Sequence, residues 1–168
     1  MGASPMPVVP VTIRVERSLD HRPRMVFDAY ADIDQRTQWM APPDDLISFE
    51  SHDFRAGASD HFVRPSQGKR SFSGTTRYEH IVDDEHIVFT ERLTAANDQL
   101  LAISLVSWFL VPSGPGTLLT ITDHTASVVG SRPIEGARYR YEVMVDRLAR
   151  HLAGRVGGFV DGPDGATR

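Results

Sequence analysis

The chain has 168 residues, with 18 Lys and Arg against 22 Asp and Glu for a formal charge of −4, and it contains no cysteine. That length suits one domain, which buries about two thirds of its unfolded surface and so forms a core without covalent staples. The composition excludes disulfides, thiolate metal sites and thiol catalysis, and the acidic balance provides no global field for phosphate backbones, so no nucleic-acid partner is expected.

The opening stretch, MGASPMPVVPVTI, lacks the basic region of a signal peptide, and Pro5, Pro7 and Pro10 interrupt its apolar run. Met6 stands where myristoylation needs Ser or Thr. No window approaches the roughly 18 apolar residues of a membrane span. The chain reads as a soluble protein, and the lack of cysteine fits a cytoplasmic location.

Residues 11 to 19, VTIRVERSL, alternate Val11, Ile13 and Val15 with Thr12, Arg14 and Glu16, the period of a half-buried strand. After the turn DHRP, residues 24 to 31 place Met25, Val26, Ala29 and Tyr30 on one helical face. A second short helix runs from Asp34 to Trp39, and Pro42 and Pro43 stop it.

From Leu46 to about Ala126 the texture is that of strands divided by turns: LISFESHDF, DHFVRP, RSFSGTTRYEHIV, HIVFTERL, LLAISLVSWFLV and TLLTITDHTA. Every connection is too short for a parallel crossover, so the strands form antiparallel hairpins in one sheet of about seven, counting the first. Residues 131 to 154 return to a 3.6 period, with Ile134, Ala137, Tyr141, Val145, Leu148 and Leu152 on one face and Arg138, Arg140, Glu142, Arg147 and Arg150 on the other. A proline near the start and Gly154 at the end mark its expected limits. The organisation read from this is an N-terminal tail over 1–10, a single domain over 11–154 and a flexible Gly-rich tail over 155–168.

Little in the sequence carries catalytic chemistry. Seven histidines invite a metal reading, with His52 and His61 placed to meet across a hairpin, but no H-x-x-H or H-E-x-x-H spacing exists. The segment GKRS at 68–71 imitates the end of a phosphate loop, yet Val63 replaces its first glycine and Arg70 its Ser or Thr. The basic residues Arg64, Lys69, Arg70 and Arg77 read as a solvated hairpin tip, with contact to an anion as the alternative. No serine-hydrolase elbow or dinucleotide fingerprint is present. No metal and no cofactor are expected.

The order of elements, with VFDAYADIDQRTQWMAPP, FESHDFRAGA, YEHIVDDEHIVFTER, GTLLTITDH and VDRLARHL, resembles the START-like superfamily that includes the birch-pollen allergen. Within it the chain looks most like proteins similar to the C-terminal domain of the heat-shock-protein-90 ATPase activator. The resemblance implies an α+β helix-grip fold: a curved antiparallel sheet of six to seven strands wrapped around a long C-terminal helix, with two short helices after the first strand. It departs from the usual pattern at Arg140 and Tyr141, where relatives carry Gly-Trp, and at Gly57 and Ala58, where they carry Gly-Gly. In the turn at 83, Val82 replaces the usual proline. In this family the helix-end Trp packs where the small helices meet the sheet, so Trp39 is expected to be an anchor rather than a ligand clamp.

The resemblance also implies a ligand cavity between sheet and helix. Alternation turns Ile87, Phe89 and Glu91 inward on one strand and Leu119, Ile121 and Asp123 inward on another. Both faces of LLAISLVSWFLV are apolar, and the resemblance favours Ala102, Ser104, Val106 and Trp108 inward, with Phe72, Thr76 and Tyr78 in the same register. The candidate cavity is therefore walled by Phe72, Tyr78, Phe89, Trp108, Ile121, Tyr141 and Met144, with Glu91 and Asp123 as two carboxylates in apolar surroundings. Such groups call for cationic partners or raised pKa values, and are disproportionately functional. The alternative is that each lies at a strand end, wetted or paired with Arg138 or Arg64.

Three functions follow as expectations: binding of a small hydrophobic or aromatic ligand, a cyclase- or hydrolase-like enzyme using a cavity carboxylate, or a co-chaperone acting on heat-shock protein 90. Outward Phe109 and Val111 leave an apolar stripe that either a second copy, in a homodimer, or the segment PMPVVP would cover.

Overall fold

The computed structural model describes residues 7–41, 46–65 and 71–156. The elements run β1 (Val9–Leu19), α1 (Pro23–Ala31), α2 (Ile33–Trp39), β2 (Ser48–Ser51), β3 (Ser59–Arg64), β4 (Phe72–Val82), β5 (His86–Ala95), β6 (Leu100–Ser113), β7 (Gly116–Ser127) and α3 (Ala137–Val156). All seven strands form one sheet in the order β1-β7-β6-β5-β4-β3-β2. Every pairing is antiparallel. This is the expected α+β helix-grip arrangement, with β1 brought beside β7 and both small helices and α3 on one face.

The short connections follow from local chemistry. The turn after β2 needs a left-handed residue only at Gly57, whose φ is 85°, so Ala58 is accommodated beside it. Asp84 takes the left-handed position of the β4–β5 turn at φ 63°, a conformation Asp tolerates better than most residues. At the start of β7, Gly116 has no Cβ because one would lie 2.1 Å from the Leu19 carbonyl oxygen at the end of β1.

Three boundaries differ from the sequence reading. β1 begins two residues earlier, with Val9 and Pro10 opposite Ser127 and Ala126. Pro10 is tolerated because β1 is an edge strand. β2 is only four residues long: the Asp53 amide donates to the Asp60 carboxylate instead of continuing the ladder. The last helix begins at Ala137, not 131, because Ile134 and Glu135 amides turn back to the Ser131 carbonyl and Gly136 has φ 70°. Ile134 thus belongs to the turn before the helix, and Gly154 is helical rather than a stop. The expected stop at Pro42 and Pro43, the GKRS segment apart from Ser71, and the tail beyond 156 lie outside the described residues.

The core lies between the concave sheet face and the helices. Ile13, Val15, Ile87, Trp108, Leu110, Leu119 and Ile121 from the sheet meet Val26, Tyr30, Trp39, Val145, Leu148 and Leu152 from the helices. Among the described residues no helix is long and apolar enough to cross a membrane. Substituting Gly116→Ala is expected to lower stability by about 1–3 kcal/mol, since the obstacle is backbone that cannot rotate away. Urea unfolding monitored by circular dichroism measures it, and unchanged stability would show that the β1 terminus yields freely.

Candidate ligand-binding site

The antiparallel register sorts the concave face into rows. One row runs Val15, Ile121, Trp108 and Ile87, and the next runs Ile13, Asp123, Val106, Phe89 and Tyr78. The first is wholly apolar and lies under the small helices. Trp39 is 0 % exposed, its indole N–H donates to the Ala29 carbonyl at 3.0 Å, and its ring centroid is 5.9 Å from that of Trp108. Both its apolar surface and its polar atom are used within the protein, so Trp39 is the anchor where α2 meets the sheet. Tyr30 completes the cluster, 5.0 Å from Trp108 and 6.1 Å from Phe89 between ring centroids.

A third row is polar. Across β3 to β7 it reads Asp60, Thr76, Glu91, Ser104 and Thr125. Thr125 donates to one oxygen of Asp123 at 2.6 Å and Tyr141, reaching down from α3, donates to the other at 2.8 Å. Ser104 is hydrogen-bonded to Thr125; with the Thr125 proton committed to Asp123, Ser104 is the donor of that bond. Asp123 is therefore held by hydroxyl groups, not by Arg138, whose guanidinium donates to the Arg14 carbonyl instead.

Glu91 is differently placed. It is partly buried, and Thr76 Oγ1 donates to one of its oxygens at 3.3 Å. Burial pushes its carboxyl up to about 7, with repulsion from Asp123 adding to the rise and Arg64, Thr76 and Arg36 opposing it. The two carboxylates thus feel each other across the sheet, and one of them changes charge near neutral pH. Burial also raises the Tyr141 hydroxyl well above its ordinary value, so it remains a proton donor to Asp123.

All the expected inward residues share this side of the sheet. Tyr78, Phe89, Trp108 and Ile121 are buried members of the core cluster, and Tyr141 and Met144 of α3 pack against it. Phe72, at the far end of β4, is partly buried and carries the Arg64 guanidinium 5.7 Å from its ring centroid. Where relatives carry Gly-Trp, Arg140 folds back onto the Glu135 and Pro133 carbonyls, leaving Tyr141 to reach the sheet.

One constellation was not anticipated. Arg36 and Asp60 are 1 % and 0 % exposed and form an ion pair at 2.6 Å. Arg36 also donates to the Tyr78 hydroxyl at 2.7 Å, and that hydroxyl donates to Asp60. His52 Nδ1 lies 3.1 Å from Arg36 Nη2 and 2.9 Å from Asp60 Oδ1. Aromatic faces of Tyr30 and Phe49 flank the guanidinium at 4.7 and 4.8 Å. Burial works against the charged form of Asp60, but Tyr78 and Arg36 outweigh it and hold its carboxyl below the ordinary range. The only sequence signal was one arginine in an otherwise unremarkable polar stretch before Trp39; its partner 24 residues away carries no local mark.

His52 and His61 do not face each other: His52 turns to Asp60 and His61 pairs with Thr75 Oγ1. Among the described residues no group of three His, Asp or Glu is disposed to hold a metal ion. A groove of about 400 Å³ between β1 and α3 is lined by charged residues that include Arg17, Arg138, Glu142 and Asp146. It lies outside the polar row, and its Arg17 and Asp146 pair with each other at 2.7 Å.

Comparison with known proteins agrees with this fold. The pattern of the family described as "Activator of Hsp90 ATPase homolog 1-like protein" matches residues 20–153. The Mll3558 protein of Rhizobium loti is 30 % identical, with 86 % of this chain and 99 % of that one covered at a TM-score of 0.73. An uncharacterized protein from Rhizobium leguminosarum shares the fold at 19 % identity, with 88 % and 97 % of the two chains covered and a TM-score of 0.76. DynU16, encoded in the dynemicin biosynthetic locus, shares the fold at 20 % identity and a TM-score of 0.61; the match covers 84 % of this chain and 47 % of that one. No curated protein matches the chain.

Two predictions follow from the carboxylates. Asp60→Asn leaves the Arg36 charge buried without its counter-ion and is expected to cost about 3–5 kcal/mol in urea unfolding at pH 7. The wild-type contribution of Asp60 is complete above the ordinary value of 3.8 and is lost as pH falls towards the lower folded value. Glu91 has the opposite sign. Its folded-state pKa is raised from 4.5 to about 7, so the folded protein binds the extra proton in that window and loses stability as pH rises through it. Glu91→Gln should therefore match the wild type near pH 5 and exceed it by about 1–2 kcal/mol near pH 8; equal stability at both pH values would contradict the raised pKa.

Proposed function

The chain belongs to the family of activator of Hsp90 ATPase homologue 1-like proteins, and from that premise we propose that it binds a small hydrophobic or aromatic molecule between the sheet and α3. It acts as a single domain over residues 11–154, in the reducing cytoplasm that suits a chain without cysteine. The supporting observation is the polar row on an otherwise apolar concave face. Placing Thr76, Glu91, Ser104, Thr125 and Asp123 towards the core side costs stability that apolar residues would not, and a carboxyl near neutrality is the least economical of them. A site that fixes a few polar atoms of an apolar ligand explains the expense. In this reading Phe72, Tyr78, Phe89, Trp108, Ile121, Tyr141 and Met144 supply apolar surface, and Glu91 and Asp123 orient the ligand.

A second reading is proton transfer to or from such a ligand. It is favoured by Glu91, whose carboxyl at about 7 is poised to accept or donate a proton at neutral pH. Activation of an Hsp90 ATPase, the third reading, rests on the family description alone, and fold does not carry function with it.

The test is native mass spectrometry of gently purified protein before and after denaturation. A reproducible small mass that leaves on unfolding is expected, with at least tenfold weaker retention in Glu91→Gln/Asp123→Asn. Retention unaffected by the double substitution would sink the assignment of these residues. Turnover of the released compound that disappears in Glu91→Gln would move the conclusion to the enzyme.

A further inference from the structure

β6 is apolar on both faces. Its inward residues are core, yet Ile103, Leu105, Phe109 and Val111 on the outer face are 45, 47, 47 and 52 % exposed. An antiparallel sheet with one wet face alternates apolar and polar residues, whereas a near-continuous apolar run marks a strand covered on both sides. On the flanking strands Val88, Leu118 and Ala126 adjoin the stripe among the polar Thr90, Arg92, Thr120, Thr122 and His124, and Ser107 marks its middle.

We propose that this outer face is a homodimer interface, with a second copy docked sheet to sheet about a two-fold axis running along β6. Such an axis lays β7 of one copy over β5 of its partner and β1 over β4, so that Leu105 and Phe109 each meet their own counterparts. The register then tests the charges. Arg14 of β1 is level with Ser107 through Thr122, and Glu79 of β4 lies in the bulge opposite Val88, which is also level with Ser107. The axis therefore brings Arg14 of each copy over Glu79 of the other, at both rims of the apolar stripe. Both side chains stand on the outer face: Glu79 accepts from Thr90 Oγ1 and lies 3.5 Å from Arg77, and Arg14, alternating with buried Ile13 and Val15, pairs with Glu16 at 2.7 Å, so each would exchange or share an exposed partner on docking.

The size suits a weak, reversible contact: the outer face is convex, so the three central strands at about 4.8 Å spacing and nine residues at about 3.4 Å meet over roughly 450 Å² per copy, or about 900 Å² in all, with long side chains of β1 and β4 reaching across at the rims. The chain's own N-terminal segment is worse placed for this cover. Val9 and Pro10 are taken into the ladder of edge strand β1 and Val8 is 60 % exposed beside them, two strands from β6.

Sedimentation velocity of the full chain at about 1–200 μM, a span that covers weak and transient contacts, measures the association. A concentration-dependent dimer is expected. Phe109→Glu and, as a second exposed position, Leu105→Lys should each weaken it at least tenfold without changing the circular dichroism or melting temperature. Glu79→Arg should weaken it and Arg14→Glu/Glu79→Arg restore it. A wild type that stays monomeric throughout overturns the proposal and leaves the face to the N-terminal segment or to another protein. A dimer indifferent to Phe109→Glu and Leu105→Lys places the contact elsewhere, and a charge swap without restoration overturns the two-fold axis.

Discussion

A guanidinium taken out of water needs several polar partners at once, and Arg36 finds them on three separate segments of chain. Its ion pair with Asp60, its bond to Tyr78 and the approach of His52 tie α2 to β3, β4 and the end of β2. Breaking the ion pair strands a charge in the core, so the segments are fixed relative to one another more tightly than apolar contact alone would require. The geometry of α2 in turn sets Trp39 against Trp108, closing the apolar end of the concave face.

With that end closed, the division of labour along the sheet follows. The row beneath α1 and α2, Val15, Ile121, Trp108 and Ile87, is filled by aromatic and aliphatic side chains and leaves no polar group to a ligand. The row through Thr76, Glu91, Ser104 and Thr125 lies beyond them, towards the N-terminal half of α3, where Tyr141 reaches Asp123. Hydroxyl groups rather than cations hold Asp123, and its charge adds to the burial that raises Glu91. A site in which one carboxyl is anchored by hydroxyl groups and the other is tunable suits orientation of a ligand and, equally, movement of a proton.

The opposite face shows how a single strand serves two surfaces. Alternation along β6 sends Trp108 and Val106 into the core and Phe109 and Leu105 out, so substitutions on one face leave the other undisturbed. The proposed ligand site and the proposed dimer face are thereby separable by mutation even though they share a strand.

Periodicity is local, and so the sequence by itself determined the seven strands, the two short helices, the long helix and which residues of β5 and β7 turn inward. A period of 2 or 3.6 is written in a few consecutive side chains and survives without knowledge of the rest. Trp39 is legible as an anchor only through the family resemblance, since the local pattern alone leaves a ligand clamp equally open. The tertiary structure alone decided that Arg36 and Asp60 form an ion pair, that β2 ends early to serve it, and that Tyr141 rather than an arginine holds Asp123. Partners such as these lie 18 to 24 residues apart in the chain, on different elements. Their pairing depends on how those elements stack, and a buried charge chooses its partner by distance in space, which no local pattern of residues records.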